Sequence, residues 1–329
     1  MRKLSVSILL IIAMVAAMAF AGCSKNNSAD SSSSSNGDGD KAVKVGFSCA
    51  DRTDTFMSGI DAAIRKYAEE QGVELVAQDA QKDVQRQIDQ IQTMVSMGCK
   101  AIVVLPVDTA PAESMNAAAG DVPLIYINRL PDEDQLEANK YVGVGSDENE
   151  SGGFQGEFIS ELFADKDPKT LDVALLQGTM GHPATILRSE SAIAKLKDAG
   201  FDVNMVFEDT AEFDRAKAMQ VFQTFLGTGK HVDVVIANND EMALGAIEAM
   251  KAVGKTTDEL PVVGIDATND AKLSLKEGGL SATVFQDGVG QAQGGLDVAL
   301  KLIDGESVDI ITFIPFQLVT LENVDTIGK

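Results

Sequence analysis

Six short apolar runs in this chain end in side chains able to hydrogen-bond in pairs. Asp51-Arg52-Thr53-Asp54 follows the first. Later runs end in Asn128-Arg129, Gly178-Thr179-Met180-Gly181-His182, Asn238-Asn239-Asp240, Asp266 and Gln286-Asp287. A carboxylate accepts from two hydroxyls at once, an amide both donates and accepts, and Arg offers a planar fork of donors. Brought together, that inventory suits a ligand made of adjacent hydroxyls. At any one of these positions the alternative is helix capping, for which Asn and Asp are ordinary residues. Six such ends are harder to assign to capping alone. Hydrolysis is the rival chemistry, with Asp54 and Asp266 as a carboxylate pair, but a glycosidase needs one acid held protonated. Nothing in the sequence singles out such an acid, and no GxSxG or HExxH is present.

The apolar runs must be strands and the segments between them helices. Val43–Phe47, Val73–Ala77, Ala101–Leu105, Pro123–Ile127 and Tyr141–Val144 make up the first half. Val173–Leu176, Val203–Phe207, Val234–Ala237, Val262–Ile265 and Ala282–Phe285 repeat the style in the second. Helical spacing recurs between them: Ile60, Ile64 and Tyr67; Ile88, Ile91, Met94 and Val95; Leu244, Ile247 and Met250. Continuous apolar strands alternating with amphipathic helices predict α/β architecture with parallel sheets covered on both faces. So many strands favour two doubly wound lobes over one sheet. In such sheets a ligand sits beyond the carboxyl ends of the strands.

Composition narrows the partners. The 329 residues carry 27 Lys+Arg against 50 Asp+Glu, a formal net charge of −23, with two His, three Cys and no Trp. That acidity argues against nucleic acid, whose phosphates need basic charge. The few, scattered His and Cys leave little for a zinc site or a disulfide scaffold. Arg2 and Lys3 precede an apolar run from Leu4 to Gly22, the pattern of a secretory signal peptide, although such a run could also span a bilayer. Ala21-Gly22-Cys23 resembles a bacterial lipoprotein signal, which implies cleavage after residue 22, lipidation of Cys23 and an extracytoplasmic, membrane-anchored chain; Phe20 stands where Leu is usual. Cleavage removes two bases and no acids, leaving the mature chain more acidic. The Ser-rich segment to Asp40 lacks the apolar content to fold and reads as a tether spanning roughly 20–25 Å.

Four motifs together resemble the periplasmic sugar-binding proteins of ABC transporters, most closely the galactose/glucose-binding branch. They are Asp54-Thr-Phe-Met-Ser58, Gly178-Thr-Met-Gly-His-Pro183, Val234-Val-Ile-Ala-Asn-Asn-Asp240 and Gly264-Ile-Asp266. The resemblance implies the type I fold, two lobes joined by a hinge, with residues 43–144 plus about 288–312 in one lobe and 145–287 plus about 313–329 in the other. It implies a monosaccharide ligand, delivery to permease subunits, no enzymatic activity and no cofactor, with a chemoreceptor as a further potential partner and a monomeric state. By matched position, Asp54 and Asn128 grip hydroxyls from the first lobe. His182, Arg188, Asn239 and Asp266 do so from the second, with Gln286 beside the crossover. Phe56 and Phe213 sandwich the ring; a sugar's C–H faces need flat apolar walls, and without Trp these must be Phe. Core packing is the alternative for Phe56, and a local staple contact for Phe213.

Three departures loosen the sugar's identity. Ala184 stands where the branch has Asp, Gln286 where it has Asn, and Arg129 where it has Lys. The last two lean towards ribose-binding relatives and make Arg129 an extra ligand candidate, against a surface ion pair. The branch's calcium loop is also missing, because Asp165–Asp172 lacks the turn Gly and contains Pro168, so no structural metal is expected. His231, beside Lys230, is expected to be exposed. Cys49 and Cys99 are expected to be buried, unbonded and at opposite edges of their sheet.

Overall fold

Runs of Val, Ile and Leu that end at a polar residue become the strands of two parallel sheets. The computed structural model describes residues 42–328; the signal segment, Cys23 and the tether lie outside the described residues. The first sheet holds β1 (Lys44–Cys49), β2 (Glu74–Asp79), β3 (Ala101–Val104), β4 (Leu124–Asn128), β5 (Tyr141–Gly145) and β11 (Ile311–Phe313), in the order β11-β5-β4-β3-β1-β2. All of its pairings are parallel. The second sheet holds β6 (Thr170–Gln177), β7 (Asp202–Thr210), β8 (Val234–Ala237) and β9 (Val262–Val263), in the order β7-β6-β8-β9. The two-lobed α/β reading stands.

Helices cover both faces of each sheet. On the first sheet, α1 (Thr55–Glu70) buries Ile60 and Ile64 beside Val45 and Phe47, and α9 (Gly288–Ile303) adds Ala292 and Leu296 to that core. Its other face is closed by α2 (Val84–Ser96) and α3 (Ala112–Ala119), through Ile91, Met94 and Met115. In the second lobe α6 (Arg215–Leu226) and α7 (Asp240–Ala252) share one core, while α4 (Glu148–Leu162) and α5 (Pro183–Asp198) share the other. The chain thus returns to the first sheet with α9 and β11 after building the second. No helix among the described residues is long and apolar enough to cross a membrane.

Two expectations need correction. The run Val262–Ile265 is a strand only over Val262–Val263. Beyond it the chain bends so that the Ile265 carbonyl accepts from the Asp240 amide at 2.7 Å, and Asp266 follows at φ 118°. The Ala282 run is not purely parallel either. β10 (Thr283–Phe285) pairs antiparallel with β12 (Gln317–Val319), although Val263 and Ala282 still bridge in parallel. The expectation for the cysteines is met: Cys49 and Cys99 are free and buried, one at the end of β1 and the other before β3.

Candidate functional site

Between the two sheets, beyond their carboxyl ends, lies a cavity of about 220 Å³. All ten residues singled out from the sequence line it: Asp54, Phe56, Asn128, Arg129, His182, Arg188, Phe213, Asn239, Asp266 and Gln286. Several of them also cap helices, so the capping alternative is true without being exclusive. The Asp54 carboxylate accepts from the Met57 amide at 2.9 Å at the start of α1, using one of its two oxygens. Asn239 accepts from Met242 at 3.0 Å at the start of α7. A cap fixes the side chain at a helix N-terminus that faces the cavity.

His182 caps α5 in an instructive way. Its Nδ1 accepts from the Ala184 amide at 3.1 Å. That assigns the proton of the neutral ring to Nε2, which is buried and has no partner among the described residues. Burial, followed by the charges of Arg129 and Arg188, pushes its pKa down to about 3. His182 therefore offers the cavity one N–H donor and stays uncharged at neutral pH.

The aromatic walls rest on glycines. A Cβ on Gly178 would come within 2.0 Å of the Phe213 ring, and one on Gly288 within 3.1 Å of Phe56. Phe213 and Glu212 both adopt the left-handed conformation, at φ 60° and 53°. Such strain outside glycine persists only when the surroundings impose it. The His182 ring meets Phe213 edge-on at 5.6 Å. Phe56 and Phe213 stand on different lobes.

The polar residues of the second lobe form one network around Arg188. Its fork clasps Glu148 at 2.7 and 3.0 Å, its Nη1 donates to the Asn238 carbonyl at 2.7 Å, and Nη2 reaches Gln286 Oε1 at 3.4 Å. Asp266 Oδ1 stands 3.8 Å from the same guanidinium. Burial raises the Asp266 pKa well above the carboxylate range, against the pull of Arg188. Gln286 Nε2 has no partner among the described residues and is a second donor available to a ligand. Behind this layer the buried Asp240 accepts from Thr283 Oγ1 at 2.6 Å and the Thr268 amide at 2.8 Å. Asn238 accepts from the Gly178 amide at 3.0 Å, tying the glycine under Phe213 to the network.

On the first lobe Asn128, left-handed at φ 66°, donates to Gln291 at 3.0 Å, and Gln291 donates to Ser146 at 2.9 Å. Arg129 makes no ion pair among the described residues, so the surface ion-pair alternative is set aside. It donates to the carbonyls of Pro106 and Val107 at 3.2 and 2.8 Å. Burial lowers its pKa, and Asp54 is the strongest opposing influence.

The sequence reading passed over Thr109, Ser146, Asp147, Glu148, Leu130, Leu187 and Phe313, which also line the cavity. The same rule about polar residues beyond strands would have found two groups of them. Ser146-Asp147-Glu148 follows β5, and Asp108-Thr109 lies just after β3. Away from the cavity, Asp172, His231 and Asp233 are close enough to share a cation. Asp233 there already accepts from Lys166 at 2.6 Å and the Asp172 amide at 2.8 Å. His231 is exposed, as expected.

Known proteins share this architecture. Residues 45–307 match the family described as periplasmic binding protein domain. A Rhizobium meliloti protein named for rhizopine binding is 38% identical over 287 residues, covering 86% of this chain and 92% of that protein. The D-galactose/methyl-galactoside binding periplasmic protein of Haemophilus influenzae is 32% identical, covering 80% of this chain and 82% of its own. A Bacillus halodurans ABC transporter solute binding protein, solved with myo-inositol, superposes with TM-score 0.79 at 37% identity, covering 87% of this chain and 98% of that one. The chain therefore belongs to the periplasmic binding protein domain family and is a binding protein, not an enzyme.

Proposed function

We propose that the chain is the extracytoplasmic solute-binding component of an ABC importer, capturing one hydroxyl-rich six-membered ring between its lobes. The observation that carries this is the cavity itself: two phenylalanine faces on opposite lobes, with amides, carboxylates, guanidinium groups and an imidazole N–H between them. A polyol ring has apolar faces and a polar equator and matches that layout. Within the class we favour a cyclitol of the myo-inositol type. The myo-inositol-bound structure is 37% identical to this chain, and the galactose relative 32%. Ala184 also leaves the cavity without the acidic acceptor that a galactose/glucose site would place there. Galactose or glucose is the second reading, supported by that same galactose relative, and ribose or xylose would exploit Arg129 and Gln286.

The remaining parts of the reading stand with it. The segment 1–22 would be a lipoprotein signal and Cys23 the lipid anchor, with 24–40 as tether. Residues 43–144 plus about 288–312 and 145–287 plus about 313–329 would be the bodies that close about a hinge, presenting a closed monomer to the permease, or to a chemoreceptor. Charge-assisted hydrogen bonds contribute ~1.5–3 kcal/mol each. Several of them, less the cost of ordering, place the dissociation constant at about micromolar or below. Calorimetry of the protein against myo-inositol, galactose, glucose, ribose and xylose tests this. Tight binding of myo-inositol supports the reading, and absence of heat and thermal shift with all five removes it.

A further inference from the structure

Gln291 does not line the cavity, yet it bonds to two residues that do. It is fully buried in α9. Its side-chain oxygen accepts from Asn128 Nδ2 at 3.0 Å, and its nitrogen donates to Ser146 Oγ at 2.9 Å. Among the described residues the Asn128 oxygen then has no donor and the Ser146 hydroxyl no acceptor, and both side chains line the cavity. Two glycines put Gln291 in this place. A Cβ on Gly295 would come within 2.6 Å of Ile127, and one on Gly294 within 3.1 Å of Val144, so α9 lies close against β4 and β5. Gln291, three and four positions earlier on the same helix face, reaches Asn128, the last residue of β4, and Ser146, the first after β5.

Asn128 is strained. With its φ at 66°, the Arg129 amide donates back to the Ile127 carbonyl at 2.8 Å, a three-residue turn that residues with side chains rarely adopt. Such a turn persists only where the surroundings impose it. The bond to Gln291 is the one side-chain hydrogen bond that Asn128 makes among the described residues. Gln291 also stands where the chain changes sheets. The chain leaves the first sheet at residues 146–148 and returns to it at 286–288. Glu148 clasps Arg188 from the first passage, and Gln286 meets the same guanidinium from the second. Gln291 lies one turn into the helix that begins at the second passage, and its side chain grips the first. A buried amide left unpaired costs more than its bond contributes, so Gln291 favours the arrangement in which Asn128 and Ser146 both meet it.

We propose that Gln291 is a positioning residue for ligand capture. It fixes how Asn128 and Ser146 present themselves to the ring, and it ties both to the two passages between the lobes. This rests on the ring being bound in the cavity as described above, and adds to it a residue that acts without touching the ligand. A ligand that pulls on Asn128 acts, through one amide, on the segments about which the lobes move.

Calorimetry of the native protein and Gln291→Met against myo-inositol and galactose, with urea unfolding of each, tests this. Met keeps the length and bulk of Gln and makes neither bond. Gln291→Met is expected to weaken binding about tenfold, the scale of one lost ligand hydrogen bond. In an Asn128→Ala or Ser146→Ala background the same change should cost about threefold or less, because the residues act through one relay. A Gln291 that serves the core alone would lower stability and leave affinity unchanged, and that result overturns the proposal while leaving the polyol reading intact. So does a loss undiminished in both backgrounds. If Gln291→Met does not fold, Gln291→Glu decides, since its carboxylate accepts from Asn128 but cannot donate to Ser146. Its loss should vanish in the Ser146→Ala background, and a loss that stays overturns the proposal. Absence of binding by the native protein to these two ligands and to glucose, ribose and xylose overturns the polyol reading and this one with it.

Discussion

The two lobes meet the cavity with different degrees of commitment. On the second, Arg188, Asp266, Asn239 and Gln286 are between 3 and 7% exposed; Arg188 ties Glu148, Asn238, Gln286 and Asp266 together, and Asn239 caps α7. On the first, Asp54, Phe56, Asn128 and Arg129 are all half-buried, and Arg129 leans on two carbonyls instead of a carboxylate. A buried network is costly to rearrange, because any broken contact leaves a charge or amide unpaired. The second lobe is therefore the more rigid template, and the first is the face with more freedom to yield.

Removing Arg188 tests that contrast with the largest effect. Arg188→Ala leaves Glu148 enclosed without its counter-charge, and should lower unfolding free energy by about 3–5 kcal/mol. Arg129→Ala should cost about 1 kcal/mol of stability, with ligand affinity as its main loss. Urea unfolding of both variants reads the difference. Equal stability losses would dissolve the distinction between template and yielding face.

Next come the two aromatic walls. Gly178→Ala puts a methyl where the Phe213 ring lies, 2.0 Å away at the nearest, and the ring cannot stay. Ligand affinity should fall about tenfold, the scale of one lost aromatic face. Gly288→Ala intrudes to only 3.1 Å on Phe56, which can yield slightly, so its cost should be several times smaller. In a Phe213→Ala background the Gly178 substitution should add almost nothing, because the two act through one contact. A large residual effect would mean that Gly178 matters to the backbone and not to the ring.

A pH effect confined to the template lobe reads the same contrast through stability. Burial raises the Asp240 pKa to about 7, above its ordinary value of 3.8. The folded protein thus keeps a proton that the unfolded chain releases between those values. Its contribution to stability is complete below about pH 4 and disappears as pH rises through about 7. Asp240→Asn can donate to Thr283 Oγ1 while accepting from Thr268, so it should fold. The melting temperature of the native protein relative to this variant should decline across that window. A constant difference would place the Asp240 proton elsewhere.

Much of this template is legible in the sequence, because apolar runs and polar ends carry their own physical logic. Val234–Ala237 is a strand with the very bounds the sequence suggests, and Asn239 and Asp266 stand just beyond their runs. What stayed hidden depends on distant partners. Glu148 looks like one more acid at a helix start, and only Arg188, 40 positions later, makes it the anchor of the network. Asn238 and Asn239 are indistinguishable by type. The first is fully buried and braces Gly178, whereas the second caps α7 at the cavity wall. Three-residue strands such as Gln317–Val319 have too few positions for a period to register, so the antiparallel pair with β10 was missed. Phe313 escaped notice for the same reason.

The smallest expected effect sits at the seam between the lobes. His182 would ordinarily change charge near pH 6.5 and make capture of a ligand pH-sensitive. In this fold, protonation of Nδ1 would forfeit the cap on α5 and add a third cation beside Arg129 and Arg188, and its pKa lies at about 3. The unfolded chain takes up a proton as pH falls below about 6.5 and the folded one does not, so the histidine's contribution to stability is complete above that pH and is lost towards pH 3. Between about pH 5 and 8 its imidazole nitrogens should keep the neutral, Nε2–H signature in nitrogen NMR, with no step near 6.5. Ligand affinity should show no histidine step either. A step would mean that water reaches His182 freely, and that the template does not extend to this end of the Gly178–Pro183 motif.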